Sequence, residues 1–377
     1  MKWTTLNRFK VFTVLIIIGF GIGWMFYAAD GGTILNRFKH KTTTTLFSSD
    51  SQQKNSSKQE ESIPVYFYKK QSDIGNPFSH CKHKCHVKDG FSKDRNAVIV
   101  FQGPGLFDEK PLRKYPGQLW VFFSMESPSY HPPSKKLKMW KNVFNWTLGY
   151  RRDTDILHTY GRFHLLPETK KPINISSTWN SRYNKSIIFV SHCGVASKRL
   201  SYMKKLNSFY GVDIYGGCGN LKCPKSKWGS CHDKIRNYKF YLAFENSFCK
   251  DYVTEKMFKI YWRNSNAIPV GRGRTQYELF FPPKSYLDTS KYHSTKELAE
   301  DMWRLSKNET EAATYFKWTR SYFVDRDSNA RVGFCELCRR IHDLVLMKKH
   351  TRLYRDIDTW LRGSERTQIC KTPTDLV

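Results

Sequence analysis

The sequence predicts an α/β protein made of two Rossmann-like halves. Short apolar runs of strand length recur in both halves, at residues 65–68, 97–101 and 119–123, then at 187–190, 212–215, 240–244 and 267–270. Helix-period patterns near 198–209 and 253–262 separate some of them, and strand, helix, strand is the rhythm of a parallel sheet. At 377 residues, 40% apolar and 15% aromatic, the chain has enough material for two cores.

Taken in order, residues 1–10 read as a cytoplasmic tail carrying Lys2, Arg8 and Lys10. Residues 11–29 hold no formal charge, which is long enough for a transmembrane helix and longer than the apolar part of a secretory signal. No small-x-small cleavage pattern stands at 27–29. The preceding cations favour a cytoplasmic N-terminus, while Arg37, Lys39 and Lys41 beyond the span pull the other way. The expectation is a signal-anchored, single-pass type II membrane protein with its bulk in a lumen. Residues 30–62, rich in Thr, Ser, Gln and Lys, bury too little apolar surface to offset their ordering entropy and read as a flexible stem. Residues 63–175 form the first α/β half, 183–345 the second, and 346–377 a C-terminal tail.

A formal charge of +30 points to an acidic ligand, a membrane surface or nucleic acid. A lumenal chain does not meet the genome, so nucleic acid drops out. Sequons at Asn55, Asn145, Asn174, Asn184 and Asn308 suit glycosylation in that compartment. Ten cysteines suit disulfides there, although Cys81, Cys85, Cys335 and Cys338 are also spaced as a zinc site would be.

Two segments carry chemistry. Residues 239–270, KFYLAFENSFCKDYVTEKMFKIYWRNSNAIPV, read as strand, elbow, helix and strand. In open α/β sheets ligands bind where strands end and helices begin, and this elbow presents Glu245, Asn246, Asp251, Thr254, Glu255 and Lys256 there. A cation in the first helical turn opposes the helix dipole, so a bound anion such as phosphate would compensate Lys256 and the helix together. Position alone also allows a solvated surface lysine. In the first half, the run at 119–123 leads into Ser124, Met125, Glu126, Ser127 and Pro128, which sets a carboxylate at a strand end. Glu126 there reads either as a functional group or as a loop cap.

The elbow resembles the donor-binding motif of the α1,3-fucosyltransferases of glycosyltransferase family 10, FYLxFENSxxxDYxTEK followed by a helix and a [VI]-P-[VI] strand. The resemblance runs from about Ala97 to Cys338. It implies a GT-B fold, two Rossmann-like halves facing a cleft, and inverting transfer of L-fucose from GDP-fucose to the 3-hydroxyl of GlcNAc in a glycan. The family's S-x-E-S-P signature falls on Ser124, Glu126, Ser127 and Pro128 and makes Glu126 the catalytic base. One displacement inverts the anomeric carbon, so a single carboxylate suffices to take the acceptor proton. Ile187 to His192 and SKRLSYMKKL resemble VSNxxxxxxRxxYxxxL, which places Ser191 and Arg199 at the donor diphosphate, where a guanidinium fork suits phosphate oxygens. Asn246, Tyr252, Glu255 and Lys256 complete the implied donor site.

FNWTLGYRRDTDI at 144–156 resembles another family block. Its Asp153 and Asp155 form a D-x-D pattern, but pairing with Arg151 and Arg152 is the favoured reading over a metal. The resemblance implies no required cofactor, with a divalent metal such as Mn at most stimulatory. It also implies a Cys335–Cys338 disulfide and a Golgi membrane location. The DIYGGCGNLKC context is similar to invertebrate and core-type enzymes, a leaning toward the N-glycan core GlcNAc over LacNAc acceptors. His192, Gly271, Ser290 and Lys291 depart from the family pattern. An inactive glycan-binding protein on the same scaffold is the alternative.

Overall fold

The computed structural model describes residues 61–69, 74–106, 110–224, 228–325, 328–343, 346–347 and 352–375. The expected transmembrane span at 11–29, nearly all of the stem and the sequon at Asn55 lie outside them. No helix among the described residues is long and apolar enough to cross a membrane.

The first sheet contains β1 (Ile63–Tyr68), β2 (Cys85–Asp89), β3 (Val98–Gln102), β4 (Leu119–Ser124), β5 (Trp146–Gly149) and β6 (Ile156–Leu157). Its order is β2-β1-β3-β4-β5-β6, with every neighbour parallel. Burial on both faces explains why the inner strands read as unbroken apolar runs. Along β4, Leu119, Val121 and Phe123 join one core, while Trp120 and Phe122 join the opposite one. A short helix, α1 (Ser134–Leu137), follows the loop after β4.

A two-stranded antiparallel ribbon, β7 (Arg162–Leu165) with β13 (Tyr322–Asp325), stands apart from both larger sheets. The second sheet takes β8 (Tyr183–Phe189), β9 (Val212–Tyr215), β10 (Tyr238–Phe244), β11 (Ile268–Arg272) and β12 (Leu287–Asp288) in the order β12-β11-β10-β8-β9, again all parallel. Its helices include α2 (Arg199–Asn207), α3 (Trp228–Asp233), α4 (Glu255–Trp262), α5 (Thr295–Lys307) and α6 (Glu309–Thr314). The chain passes from β8 outward to β9, then returns to the other side of β8 with β10. Such a switch opens a crevice beyond the strand ends, between β8 and β10.

The chain then crosses back. In α7 (Ser328–His342), Phe334, Leu337, Cys338 and Ile341 pack into the core of the first sheet with Val65, Phe67 and Phe123. The second half expected at 183–345 therefore ends earlier in space than in sequence. Residues expected as a C-terminal tail are packed too: Tyr354, Ile357 and Leu361 of the α8 region (Ile357–Arg362) complete the core on the opposite face.

Five disulfides stand among the described residues: Cys81–Cys335, Cys85–Cys338, Cys193–Cys218, Cys223–Cys231 and Cys249–Cys370. The expected Cys335–Cys338 bridge is thus corrected. Both residues lie on one helix, where side chains three apart share a face at a Cβ separation of about 5–6 Å, too wide for a bridge. Cys338 reaches instead to Cys85, the first residue of β2, and Cys335 to Cys81 just before that strand. The zinc reading falls with this pairing, because all four sulfurs are consumed.

Asn174, Asn184 and Asn308 are exposed. Asn145 is buried, its Oδ1 accepting from Trp120 N at 2.9 Å and its Nδ2 donating to Arg352 O at 3.2 Å, beside a cavity of about 410 Å³.

Candidate active site

The end of β4 presents Glu126. A local turn sets its direction: Ser124 Oγ accepts from Glu126 N at 3.1 Å and donates to Glu126 O at 3.2 Å. Tyr160 donates its hydroxyl to Met125 O at 2.5 Å, bracing the same loop from the β6–β7 connection. Ser127, fully buried, meets Ser247 Oγ at 2.8 Å and fastens the loop to the elbow after β10.

Across the cleft, Tyr252 OH donates to Glu126 Oε2 at 3.2 Å. Burial raises the Glu126 carboxyl above its ordinary pKa; the Tyr252 bond and the Lys256 charge pull it down, Glu255 pushes it up, and the net direction is upward. A raised carboxylate at a strand end is suited to accepting a proton.

The elbow is organised around a second carboxylate. Glu245, 1% exposed, accepts from Thr254 N at 2.8 Å and from Thr254 Oγ1 at 3.0 Å. Thr254 also caps α4, its side chain accepting from Lys256 N. Lys256 Nζ lies 3.3 Å from Glu245 Oε2, 3.2 Å from Glu255 Oε1 and 2.8 Å from Thr254 Oγ1. Burial alone would lower the Lys256 pKa, but the two carboxylates outweigh it and the net shift is upward. The compensating anion that the sequence left to a phosphate is supplied here by Glu245 and Glu255. Glu255 shows the converse balance: burial raises it, Lys256 outweighs burial, and its carboxyl is held down.

Arg199 opens α2 and is buried, with NH1 donating to Phe244 O at 3.0 Å and NH2 to His192 O at 3.3 Å. Its Nε has no partner among the described residues, nor does the buried Oδ1 of Asn246. Desolvation lowers the Arg199 pKa and Glu245 works against that, so the two belong to one electrostatic cluster. Glu126, Arg199, Tyr252, Glu255 and Lys256 are thereby gathered at the crevice between β8 and β10. Ser191 is exposed just past β8, at the rim.

The D-x-D pair is engaged. Arg151 donates to both Asp153 oxygens, at 2.8 and 2.6 Å. Asp155 is held by Arg352 NH1 at 2.8 Å and Tyr354 OH at 2.7 Å, not by Arg152. Arg152 offers its backbone N–H to Asp251 Oδ2 at 3.2 Å, which corrects the expected pairing. Reasoning from sequence named Glu245 at the elbow without its bonds to Thr254 and Lys256, and it gave Ser127, Tyr160 and Ser247 no role in building the site, although all sit inside the motif blocks.

Fold and site together define a class: a two-sheet α/β protein whose strand ends set one carboxylate, Glu126, across from an elbow where Lys256 stands between Glu245 and Glu255 with the buried Arg199 nearby. A family model described as "Fucosyltransferase, N-terminal" matches residues 47–161, and one described as "Glycosyltransferase family 10 (fucosyltransferase) C-term" matches 179–360. Alpha-(1,3)-fucosyltransferase C of Drosophila melanogaster is 33% identical over 291 residues, 72% of this chain and 66% of that protein. Glycoprotein 3-alpha-L-fucosyltransferase A of the same species is 35% identical over 65% of this chain and 48% of its own length. A crystal structure of an alpha1,3-fucosyltransferase with GDP-fucose superposes with a TM-score of 0.53 at 16% identity, over 81% of this chain and 96% of that one, and shares the fold. The chain belongs to glycosyltransferase family 10, the fucosyltransferases. It spans about half to two thirds of the length of these two curated relatives.

Proposed function

We propose that this chain is an inverting, GDP-fucose-dependent α1,3-fucosyltransferase of GT-B architecture, acting on the 3-hydroxyl of a GlcNAc residue in a glycoprotein glycan. The observation that carries the reading is the Glu126 carboxylate, raised in pKa by burial and tied by Tyr252 to the elbow that bears Lys256. Glu126 removes the proton of the acceptor hydroxyl as its oxygen bonds to the fucose anomeric carbon. The bond from that carbon to the β-phosphate oxygen breaks, and GDP leaves with the electron pair. Arg199 and Lys256 take up the charge that develops on the diphosphate. Glu255 and Asn246 hold the nucleotide, Tyr252 shapes its site, and Ser191 edges it.

With Asp153 and Asp155 both committed to arginines, transfer proceeds through side chains alone, a divalent metal being at most stimulatory. The N-glycan core GlcNAc is the preferred acceptor. The name of the Drosophila relative, glycoprotein 3-alpha-L-fucosyltransferase A, supports a glycoprotein acceptor, and the core position rests on the DIYGGCGNLKC context. The reading extends to a type II protein of the Golgi membrane, anchored by residues 11–29 with the catalytic part lumenal; five disulfides suit that oxidising space.

The test is transfer by the full chain in detergent, with GDP-fucose and a panel of core-type and LacNAc-type acceptors, products being read by mass spectrometry and NMR. An α-linked fucose on the GlcNAc 3-hydroxyl is expected. GDP release without glycosidic product, or a β-linkage, overturns the reading.

A further inference from the structure

A groove of about 360 Å³ opens beside the site, lined by Arg152, Thr159, Arg162, Glu278, Leu279 and Tyr322 among others. Three features tie it to the chemistry. Thr159 and Gly161 line it and flank Tyr160, whose hydroxyl braces the Glu126 loop at Met125 O, so one residue of backbone separates groove from centre. Its floor rests on α4, the helix that begins with Glu255 and Lys256: a Cβ at Gly161 would come within 2.4 Å of Phe258. Its wall at Glu278 and Leu279 follows β11, beyond the strand ends of the second sheet.

The lining is mixed in a way that suits sugars. Leu279 is 46% exposed and offers an apolar surface for the C–H face of a pyranose. Arg152, Arg162 and Glu278 are exposed, and no ion pair among the described residues holds them. Planar guanidinium and carboxylate groups bond vicinal hydroxyls in pairs.

We propose that this groove is an acceptor subsite that binds the saccharide residues of the glycan beyond the reacting GlcNAc. The assignment rests on the fucosyltransferase reading and adds which part of the acceptor is recognised, and where. Binding energy from non-reacting residues holds the acceptor hydroxyl against Glu126.

The test uses the full chain and two acceptors, an extended N-glycan and a GlcNAc glycoside lacking the outer residues. For Arg162→Ala and Glu278→Gln, KM for the extended acceptor is expected to rise about tenfold, the loss of one charged hydrogen bond. KM for GDP-fucose and for the short glycoside is expected to stay within about twofold of wild type, so the ratio of the two acceptor KM values is the readout. Leu279→Ser, which removes no charge, serves as the second variant with the same expected direction. Equal rises for both acceptors, or no rise in any of the three variants, overturn the subsite. If the wild-type chain transfers fucose to neither acceptor, the functional reading itself fails, a result distinct from active variants that do not discriminate.

Discussion

Glu126 is the base of the proposed reaction, and its surroundings set its pH response. Glu126→Gln keeps shape and removes the base, so transfer is expected to fall by at least about 100-fold while GDP still binds. Radiolabelled transfer beside calorimetric GDP titration separates these effects, and substantial residual turnover would remove Glu126 from its role. The base must be ionised, so kcat/KM falls as pH drops through its raised pKa. The Tyr252 bond lowers that pKa, and Tyr252→Phe is therefore expected to shift the acidic limb toward higher pH. An unmoved limb would detach Tyr252 from the base. For Lys256→Ala, GDP affinity is expected to weaken by about 1.5–3 kcal/mol, and the carboxylate pair left behind adds repulsion. These residues were legible because motif and strand end coincide at both Glu126 and the elbow. The internal neutralisation of Lys256 was not, since nothing in a linear spacing shows that Glu245, eleven positions earlier, folds back under α4.

Helix α4 shows how an element carries the site. Phe258 packs against Gly161, where any larger residue collides. Gly161→Ala is expected to displace α4 and weaken donor and acceptor binding together, which initial-rate measurements with both substrates varied would detect. The inner strands of both sheets were legible as apolar runs, since parallel strands are buried on two faces. Short strands such as β5 and β6 were not; Trp146 to Gly149 is buried but lies within a motif block read for chemistry. Helix α7 escaped notice for another reason. Its apolar residues face the first sheet, roughly 210–270 positions earlier in the chain, and no local pattern announces that partner. Two bridges staple it there, and Cys85→Ala with Cys338→Ala is expected to lower stability by about 2–5 kcal/mol in denaturant melts.

At the scale of the molecule, the C-terminal segment is a strap across both halves. Arg362 donates to Pro128 O at 2.7 Å, in the loop that bears Glu126. Further along, Cys370 is bonded to Cys249 and Asp375 pairs with Arg272, a wholly buried cation stacked on Tyr202 at 4.4 Å and Phe248 at 4.6 Å. Asp375→Ala strands that charge; with the carboxylate itself partly exposed, the expected loss is about 2 kcal/mol, seen as a lowered melting temperature. A tail read only from its own residues hides this, because its partners belong to other parts of the chain.

The pairing of Cys81 and Cys85 with Cys335 and Cys338 also orders events in time. A ribosome delivers the first two thiols some 250 residues before their partners, so β1 and β2 wait half-assembled while the donor half is still being made. During that interval the early thiols are open to each other and to the cysteines at 193, 218, 223, 231 and 249. The yield of correctly folded protein should accordingly depend on an oxidoreductase that undoes premature bridges.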